Sequence, residues 1–202
     1  IAEATGMMLP LGEWILQQAC TDAAAWPSHV GIAVNVSAVQ FHKENLFDVI
    51  LCALVDSSLS PERLEIEIAD VGELETRRTQ YLRDIRQLRN IGVSVVLDDS
   101  TTNYSSSTFL TAFPFDSVKI NKLFTQGVVS RRDCAAVVTS VVALARGLDV
   151  TTTAKGVETS KQFEALKAAG VDRVQGFLFG RPMPQADLNF EAVRFLPAKV
   201  VA

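Results

Sequence analysis

Polar side chains with chemical potential recur in this sequence at the ends of short apolar runs: Asn35, Glu67, Asp98, Lys119, Lys155 and Gln175. Asp98 and Asp99 are adjacent carboxylates directly after the apolar run VSVVL. Such a pair repels itself, and a divalent cation offsets that cost. The same pair also reads as the acidic N-cap of a following helix. Asn35 follows GIAV and, taken alone, is a turn residue. Glu67 lies in LEIEI, where alternation puts Glu65 and Glu67 on one face and Ile66 and Ile68 on the other. If both faces of that strand are covered, as in a parallel barrel, Glu67 points into the barrel or its mouth.

The elements that must position these residues are short β-rich segments alternating with longer helical ones. The spacing predicts strands at 31–35, 64–68, 93–97, 117–120, 150–153 and 173–176. It predicts helices over 10–25 (apolar at Trp14, Ile15, Ala19 and Ala23) and 74–91 (Tyr81, Leu82, Ile85 and Leu88 on one face). Two more are predicted over 133–148 and 160–169, the last beginning at a cap and stopping at Gly170. Strands alternating with helices imply a parallel α/β sheet. Either an open doubly wound sheet or a (β/α)8 barrel accommodates it. Six strand ends that carry polar groups favour the barrel, whose strand ends meet at one face.

The chain has 202 residues, 48% hydrophobic and 21% charged, within the range of one globular domain. Its net charge of -4 and pI near 5.2 argue against a polymeric nucleic-acid partner, which calls for a basic footprint. They leave room for a small phosphate ligand, because a metal ion can bridge two negative partners. Cys20, Cys52 and Cys134 form no C-x-x-C or Cys/His cluster and read as buried reduced thiols of a cytoplasmic domain. No apolar run approaches the ~20 residues that span a bilayer, and no signal peptide is visible. The opening Ile1-Ala2-Glu3-Ala4, without an initiator Met, suggests a fragment of a longer protein.

Read in order, the segments NVSAVQF (35–41), LEIEIAD (64–70), LDDSTTNYSS (97–106), FPFDSVKIN (113–121), AKGVET (154–159) and QGFLFGRPMP (175–184) resemble the EAL domain family. The stretch ATGMMLPLGEWILQQAC (4–20) resembles that family's first helix region. The resemblance implies one EAL domain over 1–202 with a modified (β/α)8 TIM-type barrel, lacking its first strand in this chain. It implies hydrolysis of cyclic di-GMP to pGpG with Mg²⁺ or Mn²⁺. Position by position, Asn35, Glu67 and Asp98 look like metal ligands and Asp99 serves a second metal; such oxygen donors suit hard divalent cations. Lys119 resembles the lysine that orients the attacking water or screens the phosphate. Glu158 and Gln175 resemble site residues near the ligand, and Arg181, Pro182 and Met183 match the segment beside the guanine pocket.

The sequence also departs from the family pattern. The Glu-Ala-Leu motif, with its metal-ligand glutamate and phosphate-binding arginine, belongs upstream of Ile1. Lys155 occupies the position of the general-base glutamate, and an ammonium has no lone pair with which to accept a proton. Asp98, Asp99 and Glu158 are expected beside it. Thr101 and Asn103 replace both glycines of the loop 99–106. Asp70 and Asn121 stand where the family has glutamate and aspartate. These departures predict a degenerate domain that binds cyclic di-GMP as a receptor or regulatory module with little hydrolysis. An active metal-dependent phosphodiesterase and a scaffold that binds no nucleotide are the rival readings. Flanking GGDEF, PAS or receiver domains are expected, as is homodimer pairing through exposed barrel edges.

Overall fold

The computed structural model describes residues 5–41, 46–68, 78–98 and 112–190. The chain divides into two compact units: residues 1–98 with 111–115, and residues 99–110 with 116–202.

The first unit opens with helix α1 (Met8–Ala24), whose buried seam is Gly12, Leu16, Cys20 and Ala23. Pro10 fits because the first turn of a helix leaves its N–H groups without intrahelical partners. The expected apolar face is corrected here. Leu16, Cys20 and Ala23 step at i, i+4 and i+7, which turns Trp14 (62% exposed) and Ile15 outward. Gly12 leaves room for the Gln40 amide, which a Cβ there would displace. Arg63 holds the far end of this helix. Its Nη2 donates to Ala23 O at 2.5 Å, beside the bond from Trp26 N to the same carbonyl, and its Nε donates to Val30 O at 2.8 Å.

Strand β1 (Ile32–Val36) leads through the short α2 (Ala38–Phe41) and α3 (Leu46–Ser57) to β2 (Leu64–Ile68). Helix α4 (Arg78–Asn90) and β3 (Ser94–Leu97) follow. The three strands are parallel, with Val34 opposite Ile66 and Ile66 opposite Val95. That row and the next, Val36, Ile68 and Leu97, are buried. Phe41 and Tyr81 stack at 4.7 Å between ring centroids. Helix α4 buries Tyr81, Asp84, Ile85 and Leu88, while Leu82 is only half-buried because it lies about 100° round the helix from Tyr81. The predicted start of this helix, 74–77, lies outside the described residues.

The second unit contains β4 (Ser117–Ile120), α5 (Lys122–Gly127), α6 (Arg132–Gly147), β5 (Thr151–Lys155), α7 (Ser160–Ala169) and β6 (Arg173–Gln175). These strands too are parallel, with Ile120 opposite Ala154 and Ala154 opposite Val174. That row packs with Val138 and Val142 of α6 and Leu166 of α7. Strand β5 runs two residues past its predicted end and takes in Lys155. Helix α7 is capped by Thr159, whose hydroxyl accepts from Gln162 N while the Gln162 side chain accepts from Thr159 N. Gly170 ends it at φ 82°, a left-handed position that suits glycine.

Among the described residues no helix is long and apolar enough to cross a membrane. Cys20 and Cys134 are buried as expected, but Cys52 is exposed because it sits off the Ile50, Ala53 and Leu54 seam of α3.

Candidate functional site

The first unit presents an oxygen-rich strand face. Asn35 pairs in register with Glu67, and Glu67 with Val96, so all three side chains project from the same side. Asp98 lies two residues beyond Val96, and its N–H extends the ladder by donating to Ile68 O at 2.8 Å. Alternation thus gives Asn35, Glu67 and Asp98 one common face. Glu67 and Asp98 are buried, whereas Asn35 is exposed on β1, the end strand of the β1–β2–β3 order. The predicted opposition of Glu67 to Ile66 and Ile68 holds, and Glu67 is not a solvent-side carboxylate. Asp99, Asp70 and the loop 99–106 lie outside the described residues.

A hard divalent cation fits this donor set chemically: two carboxylates and a side-chain amide, without thiol or imidazole. Among the described residues no group of three or more His, Cys, Asp or Glu side chains is poised around one point. The described donors therefore amount to a partial ligand set.

The second unit presents a cationic strand face. Lys119 is opposite Thr153, Thr153 is opposite Arg173, and Lys155 is opposite Gln175. Alternation sets Lys119, Thr153, Lys155, Arg173 and Gln175 together, away from the apolar row of Ile120, Ala154 and Val174. Lys119 is almost fully buried (1% exposed), and its Nζ donates to Gln175 Oε1 at 3.2 Å. Lys155 and Gln175 are half-buried.

The local backbone explains why Lys155 stays in place. Val157 N donates to Gln175 O and Leu178 N donates to Val157 O, both at 3.0 Å. A Cβ at Gly176 would strike the Val157 backbone, so only glycine allows the two segments to close on each other. Gly156 has φ +73° and its missing Cβ makes room for Lys122. Gly156 of AKGVET and Gly176 of QGFLFGRPMP thereby clamp the end of β5 against the end of β6.

The remaining sequence candidates sit apart from that face. Glu158 is exposed beyond the end of β5, where its Oε1 accepts from Gln126 Nε2 at 3.4 Å. Its backbone N–H donates to Gln162 Oε1 at 2.9 Å, tying it to the start of α7. Arg181 stacks over the exposed Phe177 ring, 4.6 Å from its centroid, and Pro182 and Met183 are exposed beside it. Gln126, Phe177 and Arg173 escaped sequence reasoning. Gln126 lies on a short helix without an apolar rhythm, and Arg173 shows its face only once the β5–β6 register is known.

Three comparisons bear on this arrangement. The EAL domain family model matches residues 1–182. The chain is 41% identical over 184 residues to the protein y4lL of Sinorhizobium fredii, covering 91% of this chain and 22% of that one. It is 38% identical over 192 residues to MucR of Pseudomonas aeruginosa, described as a bifunctional diguanylate cyclase/cyclic di-GMP phosphodiesterase, covering 93% and 28% respectively. The chain thus spans less than a third of either relative. The structure of the PaMucR phosphodiesterase in complex with c-di-GMP matches at TM-score 0.84 and 38% identity, over 91% of this chain and 75% of that one. The fold class is accordingly α/β, of the modified TIM-type barrel kind, with six parallel strands among the described residues.

Proposed function

The chain belongs to the EAL domain family, and on that footing we propose that it binds cyclic di-GMP as a receptor or regulatory module and hydrolyses it weakly or not at all. The observation that carries this reading is Lys155. It stands in register with Gln175, on the face shared with Lys119, where the family resemblance calls for a general-base glutamate. A protonated lysine cannot take a proton from an attacking water, and loss of a general base costs ~10²–10⁴-fold in rate. Binding makes a different demand. Cyclic di-GMP carries two phosphates, and a buried lysine held by an amide suits an anion.

Asn35, Glu67 and Asp98, with Asp99 beside them in sequence, would hold Mg²⁺ or Mn²⁺. When bound, such an ion supplies Lewis-acid polarisation of a phosphoryl oxygen. The chain's own contribution is to bring two buried carboxylates and an amide to one face. Retention of Glu67 and Asp98 is the feature that favours the rival reading, a working phosphodiesterase. Lys119 screens phosphate charge, Gln175 orients Lys119, and Arg181, Pro182 and Met183 flank the base. Neighbouring signalling domains (GGDEF, PAS or receiver), pairing with a second copy and a cytoplasmic setting belong to the same reading.

The test measures pGpG release by the full-length protein in Mn²⁺, with and without Lys155→Glu. The expected outcome is negligible turnover by the native chain and a rise of ~10²-fold or more with the glutamate. Brisk turnover by the native chain would sink the receptor reading in favour of the enzyme.

A further inference from the structure

Helix α4 has an outer face that neither the core nor the receptor reading uses. Its inner side buries Tyr81, Asp84, Ile85 and Leu88. On the other side Arg78, Arg83, Arg86 and Arg89 are all exposed. The one carboxylate of the helix, Asp84, is buried, so no exposed acid of α4 separates these cations. The chain as a whole carries a net charge of -4. Arg86 lies three residues from both Arg83 and Arg89, and like charges at that spacing destabilise a helix. A bound anion would offset that cost. The outer face also holds an open groove of about 360 Å³ lined by Thr79, Leu82, Arg83, Arg86 and Gln87. Thr79, Arg83 and Arg86 follow the i, i+4, i+7 repeat, the stripe that one helix presents to another. Leu82 is half-buried and gives the groove an apolar floor. Arg83 Nε donates to Asp84 Oδ1 at 3.3 Å, which orients a side chain that is still 56% exposed. That bond engages one N–H of a planar fork that has several.

We infer that this arginine face docks an acidic helix of another protein, whose carboxylates, three or four residues apart, bind Arg83 and Arg86 while an apolar residue between them covers Leu82. Charge complementarity selects the occupant. Carboxylates at i and i+3 or i+4 of a partner helix stand at the spacing of two guanidinium groups three residues apart. A guanidinium pairs with a carboxylate through two parallel bonds and is more weakly hydrated than an ammonium, so it suits a desolvated contact better than lysine does. Helix α4 carries four arginines and no lysine. A phosphate polymer is the poorer occupant, because the acidic remainder of the chain repels an extended polyanion.

The experiment is a fluorescence-anisotropy titration of the full-length protein into a labelled, stapled helical peptide of about 18 residues, long enough to hold its helix. The peptide carries glutamates at i, i+3 and i+7 and a leucine at i+4. A second peptide has the same composition in scrambled order. The native protein is expected to bind the first peptide saturably, with an affinity that falls as salt rises. The scrambled peptide is expected to bind at least about tenfold more weakly, and Arg86→Glu to lose at least about tenfold for the ordered one. Arg86→Lys is expected to lose less than Arg86→Glu, with melting temperatures like the native one in both variants. Should Arg86→Glu melt early, the comparison of the two peptides on the native protein and the Arg86→Lys titration still decide the matter. Equal binding of the two peptides, undiminished binding by Arg86→Glu, or no binding by the native protein would each overturn the inference. Two further measurements can also overturn it. Capture by phosphatidylserine vesicles that is lost in Arg86→Glu would give the face to a membrane. Self-association in sedimentation that is lost in Arg86→Glu would give it to a second copy.

Discussion

Lys155 and Cys20 show how a single side chain's surroundings decide its chemistry. In the strand ladder Lys155 lies opposite Gln175, whose Oε1 accepts from Lys119 Nζ. Cys20 is fully buried in the α1 seam, and that desolvation pushes its thiol from 9.0 up to about 11. The fold therefore favours the neutral thiol. Its contribution to stability is complete below pH 9 and is lost as the pH rises through about 11. Two consequences are measurable. At pH 8 iodoacetamide should modify the exposed Cys52 well before Cys20, read by peptide mass. Alkaline denaturation should shift to higher pH in Cys20→Ser relative to its own midpoint stability at pH 8, because the thiol no longer ionises. Equal labelling of Cys20 and Cys52 in the folded state would contradict the burial.

Individual elements are secured by local devices that can be removed one at a time. Helix α7 carries a complete capping box between Thr159 and Gln162 and a left-handed Gly170 at its end. Thr159→Ala removes one half of the box and should cost about 1 kcal/mol, or roughly 2–4 °C in melting temperature for a chain of this size. Gly170→Ala is expected to cost more, because it strains a φ of 82° and displaces the Arg146 guanidinium that donates to Gly170 O at 3.1 Å. Thermal melts of the two variants check both the sizes and their order. The same cap also anchors Glu158 through Gln162. Thr159→Ala should therefore loosen Glu158 without touching the Lys119–Gln175 bond.

At the scale of the whole molecule, charge sets the partner class. A net charge of -4 gives no general attraction for a polyanion. A duplex DNA oligonucleotide at micromolar concentration should fail to displace cyclic di-GMP from the full-length protein in a competition titration. Displacement would mean that the protein reads polymeric backbones after all. The chain spans 22% of one relative and 28% of another.

Much of this protein was legible in its sequence, because the information was local. Strand positions follow from runs such as LEIEI and SVKI, helix α7 from its cap and its terminal glycine, and the acid, amide and lysine candidates from their places at strand ends. The ordered motifs carry the family resemblance by themselves. What tertiary structure decided was non-local. Register made Lys155 the neighbour of Gln175 and set Arg173 on the same face, and a register cannot be read from one strand alone. Packing chose Leu16, Cys20 and Ala23 over Trp14 and Ile15, since helical periodicity names a face only when the neighbouring element is known. Close approach across Gly176 set the position of the β5 end, and only the folded chain shows what that glycine touches.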